Sequence, residues 1–203
     1  MLRTTHRKPG WIFYPGWIAF TSISMLIAWA IAWAIIAQIV RVVGATMLVS
    51  GQRHITEDFL GLPVLVPVLG LLTGLLQYLL LRGYLPRMSW WIAATLLGWL
   101  LLFAVGLLSA RFSVTMPPAL AVALVAGLVG LPQWLLLRRR VSHAGYWMLS
   151  SVLGWGVALL LVNGPISSQQ DVLAVALLPP IAGSMAWWLL LDKLPHSESV
   201  EVL

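Results

Sequence analysis

Charged residues are scarce in this chain of 203 residues, of which only 9% are charged and 61% are hydrophobic. Soluble domains carry about 25% charged residues, so the mean hydropathy of +0.95 indicates an integral membrane protein. The sequence has no cysteine, which excludes disulfides, thiol catalysis and thiolate metal sites. It also has no basic groove or stripe suited to a phosphate backbone, so nucleic acid is not an expected partner.

Ionisable residues are missing from the interior of the hydrophobic runs. All four histidines fall in loops or tails, and no run contains His, Asp, Glu or Lys well inside its apolar stretch. This absence removes the usual groups of an intramembrane protease, a zinc or haem site, or a proton relay. We therefore expect no enzyme activity, no metal and no cofactor.

Long apolar runs dominate what is present, and a run of about 20 residues can cross a bilayer as a helix. The first run is too long for the hydrophobic region of a cleaved signal peptide, so we interpret it as an uncleaved span. The expected fold is an all-α integral membrane protein, a single domain with tails 1–16 and 193–203 on one side. Its six predicted spans lie near residues 17–43, 63–82, 89–110, 118–138, 146–163 and 173–192.

Positive charge is divided unequally between the two sides of this predicted bundle. Nine of the twelve lysines and arginines fall on the side of the termini, and three fall on the other side. Cytoplasmic loops carry such an excess, so we expect a multi-pass protein of the bacterial inner membrane with both termini in the cytoplasm. Tryptophans expected to anchor the same boundary are Trp17, Trp90, Trp91, Trp134, Trp147, Trp187 and Trp188.

Two stretches of the chain repeat at an offset of 56 residues. The stretch from Gly70 to Arg82, "GLLTGLLQYLLLR", returns from Ala126 as "AGLVGLPQWLLLR", and "WWIAATLLGW" from Trp90 returns from Tyr146 as "YWMLSSVLGW". A weaker third copy consists of "GWIAFTSISM" and "GSMAWWLLLD". The pattern predicts three tandem parallel hairpins, related by an axis along the membrane normal.

Both strong copies contain the element G-x-x-Q-[WY]-x-L-L-R, beside a G-W pair on a neighbouring span. This element resembles a repeat of uncharacterised multi-span membrane proteins of bacteria. The resemblance covers spans two to five and implies the repeat architecture. It implies no activity, substrate or cofactor.

Small residues four positions apart recur on single helix faces of these copies. Such pairs let neighbouring backbones approach closely in a membrane, where no hydrophobic effect drives helices together. The residues expected at helix-packing interfaces are Gly70, Gly74, Ala94, Gly98, Ala126, Gly130, Ser150 and Gly154.

Gln77 and Gln133 are the amides that the repeat keeps inside a span. Gln77 follows Gly74 by three positions, which places it on the close-packed face. Either the two amides fasten one repeat to the next through hydrogen bonds, or they face a central pocket and bind a polar headgroup or solute. Trp187 takes the equivalent position of the weak copy, which argues against a symmetric polar site.

Charged residues cluster at the cytoplasmic ends of the even spans. The repeat alignment superposes Arg82, Arg138 and Asp192. Either the carboxylate of Asp192 pairs with one of these arginines, or all three side chains reach into water separately.

A second charged group lies in the outer loop of the first hairpin. We expect a solvated loop or a short interfacial helix there, with a docking surface or a lid over an outward cavity as the alternative. The spacing matches no metal-ligand motif. The residues concerned are Arg53, His54, Glu57 and Asp58.

These features favour a non-enzymatic membrane protein, a structural or accessory component that binds membrane lipids or a membrane protein partner. The alternative is a small-solute transporter or a substrate-binding membrane subunit, with a cavity on the pseudo-threefold axis. Parallel repeats, prolines within spans and paired glutamines favour the alternative. The lack of a buried charge for ion coupling and of an ATP-binding motif argues against it.

Overall fold

A computed structural model of the chain describes residues 10–85, 88–112, 118–141, 143–162 and 169–192. Within these ranges the chain forms helices joined by short connections, together with one small β-hairpin. The helices are α1 (Phe13–Val43), α2 (Thr56–Leu81), α3 (Trp90–Arg111), α4 (Pro118–Leu137), α5 (Gly145–Leu161) and α6 (Gln169–Asp192).

Four of these helices contain segments that are long and apolar enough to cross a membrane. The segments are Phe13–Val43, Thr56–Leu81, Trp90–Ser109 and Leu173–Leu190, with mean hydropathies of 2.2, 2.3, 2.2 and 1.7. The apolar stretch of α4 and the whole of α5 are shorter. Large apolar side chains remain exposed along the outer faces of the helices. An apolar exterior of this kind suits contact with lipid, so the fold is that of a helical membrane protein.

The helix α2 begins earlier than the sequence predicts. It starts at Thr56 instead of residue 63 and contains Pro63 and Pro67. Both prolines lie beyond the first turn of α2, so each removes one backbone hydrogen bond, and the helix continues through them. The hydroxyl of Thr56 fixes this start, because it donates a hydrogen bond to the carbonyl oxygen of Gly44 at 2.7 Å.

The outer segment before α2 is a β-hairpin and not a loop or a short helix. Strands β1 (Thr46–Val49) and β2 (Gln52–Ile55) pair antiparallel. The two-residue turn between them has positive φ at Ser50 and Gly51, 52° and 80°, as tight hairpin turns require. The expectation of a loop or short helix covered residues 50–59. It was wrong for residues 52–55, which form β2 because this turn geometry favours strand pairing, whereas residues 56–59 are helical as the first turn of α2.

The helices close into a ring. Each packs against the next helix in the chain, and α6 packs against α1. Glycine permits several of these contacts: a Cβ atom on Gly98 would lie 2.7 Å from the carbonyl oxygen of Val129, and one on Gly154 would lie 2.8 Å from the Cα atom of Pro179. Both clashes are with backbone, so a larger side chain would force neighbouring helices apart.

The remaining small residues also lie at helix contacts. Gly70 and Gly74 face the backbone of α3, and Gly130 faces Ser151 of α5. The other three small residues are buried: Ala94, Ala126 and Ser150.

Candidate functional site

Three tryptophans meet at the centre of the ring. They are Trp17 of α1, Trp91 of α3 and Trp147 of α5, and their ring centroids are separated by 6.4, 5.8 and 5.4 Å. Trp187 of α6 contacts all three at 5.2 to 6.0 Å. Most of these contacts are edge-to-face, which aromatic pairs prefer. We call these four residues the tryptophan layer.

The tryptophan layer corrects one expectation from the sequence. Its four side chains are almost fully buried and do not anchor the protein to a membrane surface. Trp90 and Trp188 are exposed, and their role as anchors stays a prediction. A tryptophan near the end of an apolar helix suits a protein core as well as a membrane boundary, so the sequence alone does not separate the two.

Each glutamine accepts a hydrogen bond from a tryptophan of the next helix in the chain. The indole Nε1–H of Trp91 donates to Oε1 of Gln77 at 2.9 Å, and that of Trp147 donates to Oε1 of Gln133 at 3.1 Å. The partners are 14 residues apart in both cases. The repeated sequence thus produces a repeated hydrogen bond, between α2 and α3 and between α4 and α5.

The amide nitrogens bind threonines of the preceding helix. Nε2 of Gln77 donates to Oγ1 of Thr21 at 3.3 Å, and Nε2 of Gln133 donates to Oγ1 of Thr95 at 2.8 Å. A longer contact of 3.5 Å joins Nε2 of Gln133 to Oε1 of Gln77. The resulting amide–indole network connects α1 through α5, and both glutamines are buried, with exposures of 6% and 4%.

The weak repeat breaks this pattern. Trp187 stands at the glutamine position, and its buried Nε1–H has no hydrogen-bond partner among the described residues. Its ring instead packs 5.5 Å from the ring of Trp17. Aromatic packing between α6 and α1 thus takes the place of an amide–indole hydrogen bond.

A small cavity with both polar and apolar walls lies beside the network. Its volume is about 50 Å³, and all six helices contribute to its wall. Trp99 and Trp155, with centroids 5.5 Å apart, form part of the apolar wall together with Met25. A single water needs about 10–15 Å³ of such volume, so the cavity holds a few waters at most. The polar residues of the wall are Thr21, Thr73, Gln77, Thr95, Gln133, Ser150 and Ser151.

Sequence analysis missed the threonines and the central tryptophans of this site. Thr21 and Thr95 share one position of the repeat, four residues after Trp17 and Trp91 respectively. That recurrence was a usable signal, because a hydroxyl kept at one repeat position next to an intramembrane amide is a ready partner for it.

The charged clusters lie outside the network. Arg82 and Arg138 are exposed, and the guanidinium carbon of Arg138 lies 5.2 Å from the ring centroid of Trp134. The side chain of Asp192 lies outside the described residues, so its pairing with an arginine stays a prediction.

In the outer segment, Arg53 and His54 lie on β2, while Glu57 and Asp58 occupy the first turn of α2. Carboxylates at that position interact favourably with the helix dipole. Among the described residues, no group of three or more His, Asp or Glu side chains is placed to hold a metal.

Comparison with known proteins finds no relative of the chain. No protein-family model matches the chain, and searches of curated proteins and of solved structures find no match. The fold and the site therefore define the class: a helical membrane protein whose centre is joined by amide–indole hydrogen bonds. The resemblance to bacterial multi-span proteins stays a prediction.

Proposed function

We propose that the chain is a non-enzymatic scaffold of the bacterial cell membrane, built from three parallel two-helix hairpins with both termini in the cytoplasm. The closed ring from α1 to α6 is the arrangement that three tandem hairpins generate. The similar separations among Trp17, Trp91 and Trp147, one from each hairpin, support a pseudo-threefold axis at their centre.

This proposal includes six membrane crossings. The helix α5 has 17 residues, which at 1.5 Å per residue spans about 26 Å against a hydrocarbon core of about 30 Å. Local thinning of the bilayer accommodates such a difference at modest cost. The excess of basic residues on the side of the termini supports the cytoplasmic orientation.

The hydrogen bonds of the two glutamines are the observation that supports a structural role. Oε1 of each amide accepts from an indole, and Nε2 of each donates to a threonine. With the 3.5 Å contact between the two amides, each glutamine uses three of its four hydrogen-bonding positions, which leaves one for a solute. The protein would then act as a structural or accessory component whose outer surface binds lipid or a membrane partner.

One observation favours the alternative function, a small-solute transporter. The central cavity lies where that function needs one, and Pro179 and Pro180 of α6 line it. Prolines remove backbone hydrogen bonds and allow a helix to bend. The cavity of about 50 Å³ is nevertheless far below the roughly 300–1,000 Å³ of ligand pockets, so transport would require a substantial opening.

Flux measurements on the full chain in proteoliposomes separate the two functions. The scaffold proposal expects that urea, glycerol and small sugars enter proteoliposomes no faster than they enter protein-free liposomes of the same lipid. Faster solute entry that is abolished by Gln133→Leu but not by Gln38→Leu, at an exposed position, would contradict the scaffold proposal. The transporter function would then be favoured.

A further inference from the structure

A groove of about 460 Å³ opens on the surface where α4 ends and α3 begins. Its wall is formed by Trp90, Leu135 and Leu136, and its basic side by the consecutive residues Arg138 to Arg140. The groove is within the roughly 300–1,000 Å³ range of small-molecule sites. It is also amphipathic, since apolar side chains and guanidinium groups share one opening.

The exposed face of α4 is apolar toward the middle of the helix and basic at its end. Leu131 and Leu135 lie one turn apart and are 37% and 39% exposed. Arg138 and Arg139 follow Leu131 by seven and eight positions, so they extend the same face. The backbone still makes helical hydrogen bonds here, because the N–H of Arg138 donates to the carbonyl oxygen of Trp134 at 2.8 Å.

Among the side chains that the structure describes, those at this end of α4 carry positive charge. The acidic side chains that the structure describes are Glu57, Asp58 and Asp171, which lie in the first turns of α2 and α6, at the opposite end of those helices. The indole of Trp134 holds one guanidinium, that of Arg138, by a cation–π contact. Planar guanidinium groups suit the oxygens of a phosphate, which they bind through paired hydrogen bonds.

We propose that this groove binds the headgroup phosphate of an anionic phospholipid. The arginines Arg138 to Arg140 contact the phosphate, Trp90 lies beside the glycerol region, and Leu131 and Leu135 contact an acyl chain. Basic pockets between transmembrane helices on the cytoplasmic side bind anionic lipids in this manner. The inference rests on the lipid-binding role and the orientation of the proposed function, and it adds the class of lipid and the site.

The first repeat offers a matched control. Arg82 occupies the position of Arg138, but Gly83 and Tyr84 follow it in place of two further arginines. A single exposed arginine brings one positive charge to a phosphate, where the end of α4 brings three. We therefore expect selective binding at the end of α4 and not at the end of α2.

The test compares the triple variant R138Q/R139Q/R140Q with R82Q, using the full chain in detergent and native mass spectrometry. Phosphatidylglycerol and phosphatidylcholine with the same acyl chains are the probes. Each arginine near a membrane surface contributes about fivefold in affinity, so the triple variant should bind phosphatidylglycerol roughly one hundredfold more weakly. R82Q should bind as the unchanged chain does, and phosphatidylcholine binding should be weak throughout.

Several outcomes overturn the site. The proposal is wrong if the unchanged chain binds the two lipids equally well. It is also wrong if R82Q and the triple variant lose the same affinity for phosphatidylglycerol. Displacement of phosphatidylglycerol by millimolar inorganic phosphate would show an anion site that needs no acyl chain. The replaced arginines are exposed, so the helical circular dichroism of the variants should be unchanged. If the chain shows no preference for phosphatidylglycerol while Gln133→Leu lowers its thermal stability, the lipid site is wrong and the scaffold proposal stands.

Discussion

Replacing Gln133 with leucine tests the amide–indole network most sharply. Leucine keeps most of the side-chain volume but can neither accept from Trp147 at 3.1 Å nor donate to Thr95 at 2.8 Å. Thr95 keeps the hydrogen bond from its hydroxyl to the carbonyl oxygen of Trp91. The indole N–H of Trp147 is left buried without its acceptor.

The magnitude follows from these two bonds. Hydrogen bonds between membrane helices contribute about 0.6 to 2 kcal/mol each, and a buried donor left without a partner costs about 1–3 kcal/mol. These values overlap and do not add in full. We expect Gln133→Leu to lower the free energy of unfolding by about 2 kcal/mol, with a fall in Tm of about 4–8 °C if the scale for soluble domains of this size applies.

The assay is thermal unfolding in phosphatidylcholine nanodiscs, followed by circular dichroism because the chain has no cysteine for thiol-reactive dyes. Gln38→Leu, at an exposed position of α1, is the control and should leave Tm nearly unchanged. Trp147→Phe removes the indole N–H but keeps an aromatic ring. If Gln133 and Trp147 interact as described, the double variant should lose less than the sum of the two single losses, whereas strict additivity would refute the bond.

Two further predictions concern packing and the weak repeat. Gly98→Ala should destabilise the bundle by about 1–3 kcal/mol because its Cβ atom would meet the backbone of α4. Gly106→Ala in the same helix should be neutral or stabilising, because no side chain and no atom of another helix lies within 4 Å of its Cβ position. Equal unfolding temperatures for the two variants would contradict the close packing. Trp91→Phe should cost about 1 kcal/mol more than Trp187→Phe, because only Trp91 donates its N–H to a glutamine. Equal losses in thermal unfolding would contradict that difference.

The positions of the helices could be predicted from hydropathy, but their inward faces could not. Lipid and protein core are both apolar, so a membrane helix need not show the amphipathic pattern that marks the buried face of a soluble helix. Trp17 and Trp187 therefore had the sequence environment of boundary anchors, although both are buried at the centre. The glycines were better guides, since a close backbone approach requires a small residue wherever it occurs.

The partners of the glutamines were also beyond the reach of helical periodicity. Trp91 follows Gln77 by 14 residues, and a loop between α2 and α3 separates them. Spacing rules place residues on one face within a helix, but they do not extend across a turn. The hairpin at residues 46–55 was missed for a related reason, because its four-residue strands are too short to give a clear alternating pattern.

Hydrogen exchange of the indole N–H groups tests the central claim most directly. In ¹⁵N-tryptophan-labelled protein, the amide–indole network predicts slow exchange at Trp91 and Trp147 and fast exchange at exposed Trp90. Gln77→Leu should accelerate exchange at Trp91 more than at Trp147, because it removes the acceptor of Trp91 alone. Fast exchange at both central indoles in the unchanged protein, or no change at Trp91 in the variant, would contradict the account.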